Sequence, residues 1–376
     1  MKAAALKRTD NETFFFDAAT LYSQAKNSTK ALAAMAAVVE AGLSDVPKVI
    51  NNPLLETLKA LPEWKGRIRK MESNQQSCLR ALKAPKLREE LLSMWANDQQ
   101  ARLLLEQKRS QLKADYSSPA LAPEFKRIRE TDAYNIRRIK EIVRLEGWPT
   151  IPAVGRDGAY AAWAIVQHSN DVKFQEKCLR AMKKARARKE ISAVDYAELY
   201  DRIRRNKYEK QFYGMAIRRR QSGNDFYPIE NEGRVNRRRK QIGLEPIAVY
   251  ARLNGFIYRP LSEKESKRRD DTQKAAAEEL VNRSKQAFTA GDYKQAKTLF
   301  DEALSRFGDV SPREIYLAAV RFAGVEKEPE TYRATAFSYL TILLNKGWKK
   351  KSRLLEAAAF KNLHSDPRWK ELLDKF

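Results

Sequence analysis

The chain has 376 residues and a formal charge of +25, from 73 Lys and Arg against 48 Asp and Glu. At 43% hydrophobic it is too apolar for a disordered chain, and no apolar run approaches the roughly 18 residues that span a bilayer. Two cysteines (Cys78, Cys178) and two histidines (His168, His364) are too few for a disulfide framework or a dedicated zinc site, so no metal is expected.

Met1 to Thr13 is polar and lacks the apolar core of a secretory signal. Phe14-Phe15-Phe16 is too short to supply one, so a cytoplasmic protein is expected. Residues 12–70 form the first predicted unit. Ala18, Leu21, Tyr22 and Ala25 make one apolar stripe and Leu32, Met35, Ala36 and Val39 the next, with Gly42 placed to end the second helix. Shorter helices follow, punctuated by Pro53 and Pro62.

The pattern of this unit occurs a second time. Gly42, Leu55, Leu58, Pro62 and Trp64 return as Gly347, Phe360, Leu363, Pro367 and Trp369, at a constant offset of 305 (347 − 42, 369 − 64). A constant offset without a gap marks one helical unit built twice.

Between the copies, Lys86–Ser110 and Pro123–Glu146 read as long helices, the second stopped by Gly147 and Pro149. Helices over Ala159–His168 and Phe174–Lys189 come next, and Ser192 with Asp195 opens another, ending near Arg205. Then the period changes. Phe212, Met215 and Ile217, with a turn at Ser222–Asp225 before Phe226-Tyr227-Pro228, predict a small β-hairpin. Residues 263–274 are almost wholly charged or polar and are expected to be a linker. Beyond it, Gly291-Asp292-Tyr293 makes a turn between two helices, the second carrying Ala296, Phe300 and Ala303 at packed-helix spacing.

The two end units resemble the closing segment of tetratricopeptide-repeat arrays through Leu61-Pro62-Glu63-Trp64 and Asp366-Pro367-Arg368-Trp369. The resemblance implies stacked helices that bind a protein partner. The centre, about residues 87 to 250, resembles a bacterial domain family of unknown function that often travels with such repeats. The matching residues include Asp98-Gln99 with Arg102, Asp132 with Asn135, Gly147-Trp148-Pro149, and Trp163 with Gln167-His168. Asp201-Arg202, Gln211 with Tyr213-Gly214, and Pro228-Ile229-Glu230 complete the set. The family follows Tyr-Gly with Thr-Gln, where this chain has Met215-Ala216. It brings no known reaction, so it implies fold and boundaries alone.

The architecture expected is therefore mainly α: a tetratricopeptide-like unit over 12–70, a central helical domain over 87–255 with one hairpin, and a tetratricopeptide-like domain over 275–376. Phosphate-loop, zinc-protease and serine-hydrolase signatures are missing, no cofactor is implied, and an enzyme is the less favoured class. His168 is a candidate acid or base, or else a cap on its helix. Asp98, Asp132 and Asp201, with Gln99, Arg102, Asn135, Trp163, Gln167, Arg202, Gln211 and Tyr213, form either a ligand site or a network that fixes helix register.

From Lys173 to Lys240 there are 21 Lys and Arg against 9 Asp and Glu. Arg204, Arg205, Arg218, Arg219, Arg220, Arg237, Arg238 and Arg239, interleaved with aromatics, are candidates for holding nucleic acid or another polyanion. Three functions stand open: a protein-binding scaffold, an enzyme or small-ligand module around His168, and a polyanion binder.

Overall fold

The computed structural model describes residues 11–40, 46–220, 223–306 and 310–375. They are mainly α-helical with one two-stranded antiparallel hairpin. No described helix is long and apolar enough to cross a membrane. The chain divides into two compact units, one comprising residues up to Leu199 with Asn236–Tyr258, the other Tyr200–Val235 with Arg259 onward. The segment expected as one central domain, 87–255, thus contributes to both units.

The first unit opens with α1 (Asn11–Gln24) and α2 (Ser28–Glu40), joined through Lys26 at φ +54°. Ala31, Met35 and Val38 on α2 face Phe16 and Ala19 in a core closed by α3 (Val46–Ile50), a 3-10 turn (Pro53–Leu58) and α4 (Pro62–Arg80). Gly42, expected to cap α2, lies outside the described residues. Three longer helices follow: α5 (Pro85–Leu112), α6 (Ala122–Leu145) and α7 (Ile151–Gln167), with α6 and α7 packed on α5. Helix α8 (Val172–Ala187), the start of α9 (Ala193–Asn206), α10 (Val235–Gln241, from Asn236) and α11 (Ile247–Leu253) complete the unit.

Helix α7 is kinked at Gly155, where φ is +74° and an added Cβ would lie 2.9 Å from Asp157 Oδ1. Only glycine takes this position without strain. The kink sets the course of the rest of α7, which carries Tyr160, Trp163 and Gln167 to His168.

In the second unit the expected linker is helix. Glu263–Lys274 forms the first turns of α12 (Glu263–Thr289), started by a capping box in which Ser262 Oγ accepts from the Glu265 amide. The polar composition misled because this stretch binds through charge. Arg269 donates to the buried Glu232 carboxylate and, at 2.6 Å, to the Ile229 carbonyl. Helices α13 (Tyr293–Ser305), α14 (Pro312–Ala323), α15 (Pro329–Asn345) and α16 (Lys351–Glu356), a 3-10 turn (Ala358–Leu363) and α17 (Pro367–Leu373) surround a core of Leu280, Phe300, Phe322, Tyr339 and Leu340.

The two ends adopt the same local conformation. Helices α3 and α16 begin at 46 and 351, the 3-10 turns at 53 and 358, and α4 and α17 at 62 and 367, each pair separated by the sequence offset. Leu61 enters α4 at φ −82°, ψ 140°, and Asp366 enters α17 at φ −80°, ψ 131°. Val49 and Leu354, Leu55 and Phe360, and Leu58 and Leu363 are fully buried pairs, and Trp64 and Trp369 are buried alike.

The hairpin pairs β1 (Ile217–Arg220) with β2 (Gly223–Phe226), Arg218 opposite Asp225. Gly223–Asp225, expected in the turn, lie in the strand instead. Residues 221 and 222 lie outside the described set.

Candidate functional site

Helix α5 buries Leu87, Leu91, Met94, Asp98, Ala101 and Leu105, spaced alternately by four and three residues. That spacing is one continuous stripe of the helix facing its neighbours. Asp98 occupies a core position in the stripe, with its side chain 1% exposed. A buried carboxylate is costly unless charged partners meet it.

Arg102 on the same helix and His168 at the end of α7 do so. Arg102, one turn along α5, donates through Nε to Asp98 Oδ2 at 3.1 Å and through Nη2 to Asp98 Oδ1 at 2.9 Å. The same Nη2 donates to Asp132 Oδ1 of α6 at 2.7 Å. His168, the C-cap of α7, brings Nδ1 within 2.9 Å of Asp98 Oδ1 and 2.8 Å of Arg102 Nη2. Gln99 Nε2 adds a fourth donor to Asp98, at 2.9 Å. Arg102, Asp132 and His168 are about one-quarter to one-third exposed, so the cluster has a buried floor and a rim open to solvent.

The protonation of His168 follows from counting hydrogens. Arg102 Nη2 carries two, and two carboxylate oxygens already accept them. None remains for His168 Nδ1, and an unprotonated Nδ1 would set its lone pair against Asp98 Oδ1. The ring therefore carries a hydrogen on Nδ1 and donates it to Asp98.

The two carboxylates are driven apart. Burial pushes the Asp98 carboxyl up, but hydrogen bonds from His168 and Arg102 outweigh it and hold the group at about 2, against an ordinary 3.8. Asp132 moves the other way, raised chiefly by burial and further by the Asp98 charge, against the pull of Arg102. Because the folded value of Asp98 is depressed, its contribution to stability is present above pH 4 and lost as pH falls through 2. That contribution is about 2 kcal/mol. Acid titration of stability should accordingly be shallower in Asp98→Asn than in the wild type between pH 4 and 2, as read by denaturant melts.

Asp98 Oδ1, Asp132 Oδ1 and His168 Nδ1 are also a donor set able to hold a divalent metal, all within 4.8 Å of one another. One atom, Arg102 Nη2, stands within hydrogen-bond distance of all three, so the guanidinium itself takes the cation position. Two of these three donors are carboxylates, which Cys and His spacing in the sequence does not display.

An aromatic wall flanks the cluster. Trp95, one turn before Asp98, stacks on His168 with centroids 6.0 Å apart. Tyr160 meets Trp95 edge-on at 5.8 Å and Trp163 at 5.2 Å. Trp95 and Tyr160 were missed from sequence, although Trp95 lies three residues before Asp98 and Tyr160 three before Trp163.

The other candidates have other partners or none among the described residues. Asn135 is buried and ties α6 to α5 through the Met94 carbonyl at 3.2 Å. Trp163 and Gln167 are buried on α7, and among the described residues Trp163 Nε1 and Gln167 Oε1 have no hydrogen-bond partner.

Asp201 and Gln211, expected to join His168, belong to the other unit and hold backbone. Asp201 accepts from the amides of Phe212 at 2.6 Å, Tyr213 at 3.0 Å and Met215 at 3.0 Å. Gln211 donates to the carbonyls of Ala216 and Tyr227 and accepts from the Ala216 amide. Tyr213 is buried in that loop and Arg202 is exposed on α9.

The arginine runs divide as well. Arg239 is fully buried, paired with Glu245 at 2.8 Å and lying over Tyr250, and Arg238 is buried beside it, so neither is open to a polyanion. Arg204 is neutralised by Glu230 and Glu209. Arg237 is exposed.

The fold and site define a mainly helical protein with an Asp–His–Arg–Asp centre. Residues 85–259 match the family described as a family of unknown function (DUF6624). The match covers the segment over which the resemblance was drawn, and the whole centre lies within it. Nothing among curated proteins or solved structures matches the chain.

Proposed function

We propose that the matched segment is a small-ligand module whose centre transfers protons. His168 Nε2 is the base, Asp98 orients the ring through Nδ1 and stabilises the charge it gains, and Arg102 fixes both carboxylates. Asp132, with its carboxyl raised, is the acid. The observation that carries this reading is Asp98, a carboxylate placed in the core stripe of α5 and held ionised by His168 and Arg102. Local rules broken in this way are expected at functional sites.

A thermal-shift screen of small polar metabolites tests it, run on the wild type, His168→Gln and Arg102→Met. A ligand at 100 times its Kd adds about 2.7 kcal/mol of stability. Compounds that stabilise the wild type should lose most of that effect in both variants. Equal stabilisation of all three proteins, or of none, would reduce the cluster to a packing network.

A second reading concerns the helical units at the ends, for which we infer a tetratricopeptide-like docking role. It is favoured by a cleft of about 500 Å³ lined by Lys274, Glu278 and Asn282 of α12 and by Ser311 and Glu314 at the start of α14. Here the ends would bring a protein partner to the module.

A further inference from the structure

Arg205 has no carboxylate within ion-pair distance among the described residues, and it shares an aromatic ring with a second arginine. It is half-buried on α9, with its guanidinium carbon 3.7 Å from the centroid of the Tyr227 ring. Arg218 of β1 reaches the same ring at 5.5 Å and pairs with Asp225 at 3.0 Å. Two guanidinium groups thus share one tyrosine with one carboxylate between them, leaving a positive charge unbalanced. In both, a buried Nε lacks an acceptor among the described residues.

Partly desolvated cations brought together without a counter-charge repel one another, unless an anion from outside the chain completes the group. Stacking on Tyr227 fixes the plane of the Arg205 fork beforehand, and a fixed fork suits the bidentate geometry of a phosphate.

We propose that Arg205 and Arg218, held by Tyr227, form a phosphate-binding site for single-stranded nucleic acid. Arg218 lies on strand β1 and Arg205 on α9, with the Tyr227 ring between them. Two cations held on one aromatic ring suit a backbone phosphate beside a base, and they belong to a chain carrying +25. This site is independent of the His168 centre.

Fluorescence anisotropy of a labelled oligothymidylate of about 20 nucleotides tests it. The wild type should bind, and the affinity should fall as salt rises from about 50 to 200 mM. Arg205→Gln should weaken binding about tenfold and flatten the log–log salt slope by about 0.7, the loss of one single-strand phosphate contact. Arg219 supplies the control. It is exposed on the same strand but, one residue from Arg218, points to the opposite pleat. Arg219→Gln removes the same charge and should cost less than about threefold if position, and not net charge, governs binding.

Arg205→Lys keeps the charge but loses the fork, and should fall between the wild type and Arg205→Gln. It also serves if the glutamine variant does not fold. The proposal is overturned by an absence of binding, by equal losses at positions 205 and 219, or by full affinity in Arg205→Lys. Displacement of the oligonucleotide by inorganic phosphate at matched phosphate concentration would likewise overturn it, in favour of a free-anion site.

Discussion

Asp201→Ala should cost about 3–5 kcal/mol, among the largest effects of any single substitution in the protein. Its carboxylate accepts from the amides of Phe212, Tyr213 and Met215 and is fully buried. Alanine leaves three amide hydrogens in the interior without acceptors, at about 1–3 kcal/mol each before relaxation. Asn in place of Asp keeps the shape but turns an NH2 towards amide donors, so it should recover only part of the loss. Hydrogen exchange reads the effect directly, through loss of protection at residues 212, 213 and 215. Protection unchanged from the wild type would mean that the loop is held by other contacts.

The duplicated ends give the second large effect. Trp64→Ala and Trp369→Ala should each cost about 3–5 kcal/mol, the usual range for emptying a buried aromatic site. The two costs should agree to about 1 kcal/mol, because the rings follow closely similar entry conformations and the equivalent neighbouring positions are buried at both ends. Denaturant melts of the single variants measure this. A large loss at one end and none at the other would show that the copies share conformation but not role.

The doubled helical unit was legible because it depends on local spacing, and chains with equal spacing of Pro, Leu and Trp fold alike. Helices α5 and α6 were legible for the same reason. Their polar content was harder to read. Asp98 lies in register with Leu91, Met94 and Leu105, and the stripe marks it as buried once its period is followed through the aspartate. Grouping Asp201 and Gln211 with His168 failed because nothing in sequence shows which of two units a loop joins. Both side chains bind backbone amides and carbonyls, which sequence does not display.

The charged run 263–274 shows another limit. A helix anchored by ion pairs such as Arg269 with Glu232 has the composition of a linker. The arginine runs were misread in part for a similar reason. Arg239 looks like surface charge until Glu245 is found six residues away, folded back against it.

The most direct test uses the small number of histidines. With only His168 and His364 in the chain, ring nitrogen spectra can be assigned from a single variant. Long-range proton–nitrogen NMR should find the neutral His168 ring protonated on Nδ1, and Asp98→Asn should abolish that preference. A ring protonated on Nε2, with Nδ1 accepting from Arg102, would contradict the assignment of His168 as the base.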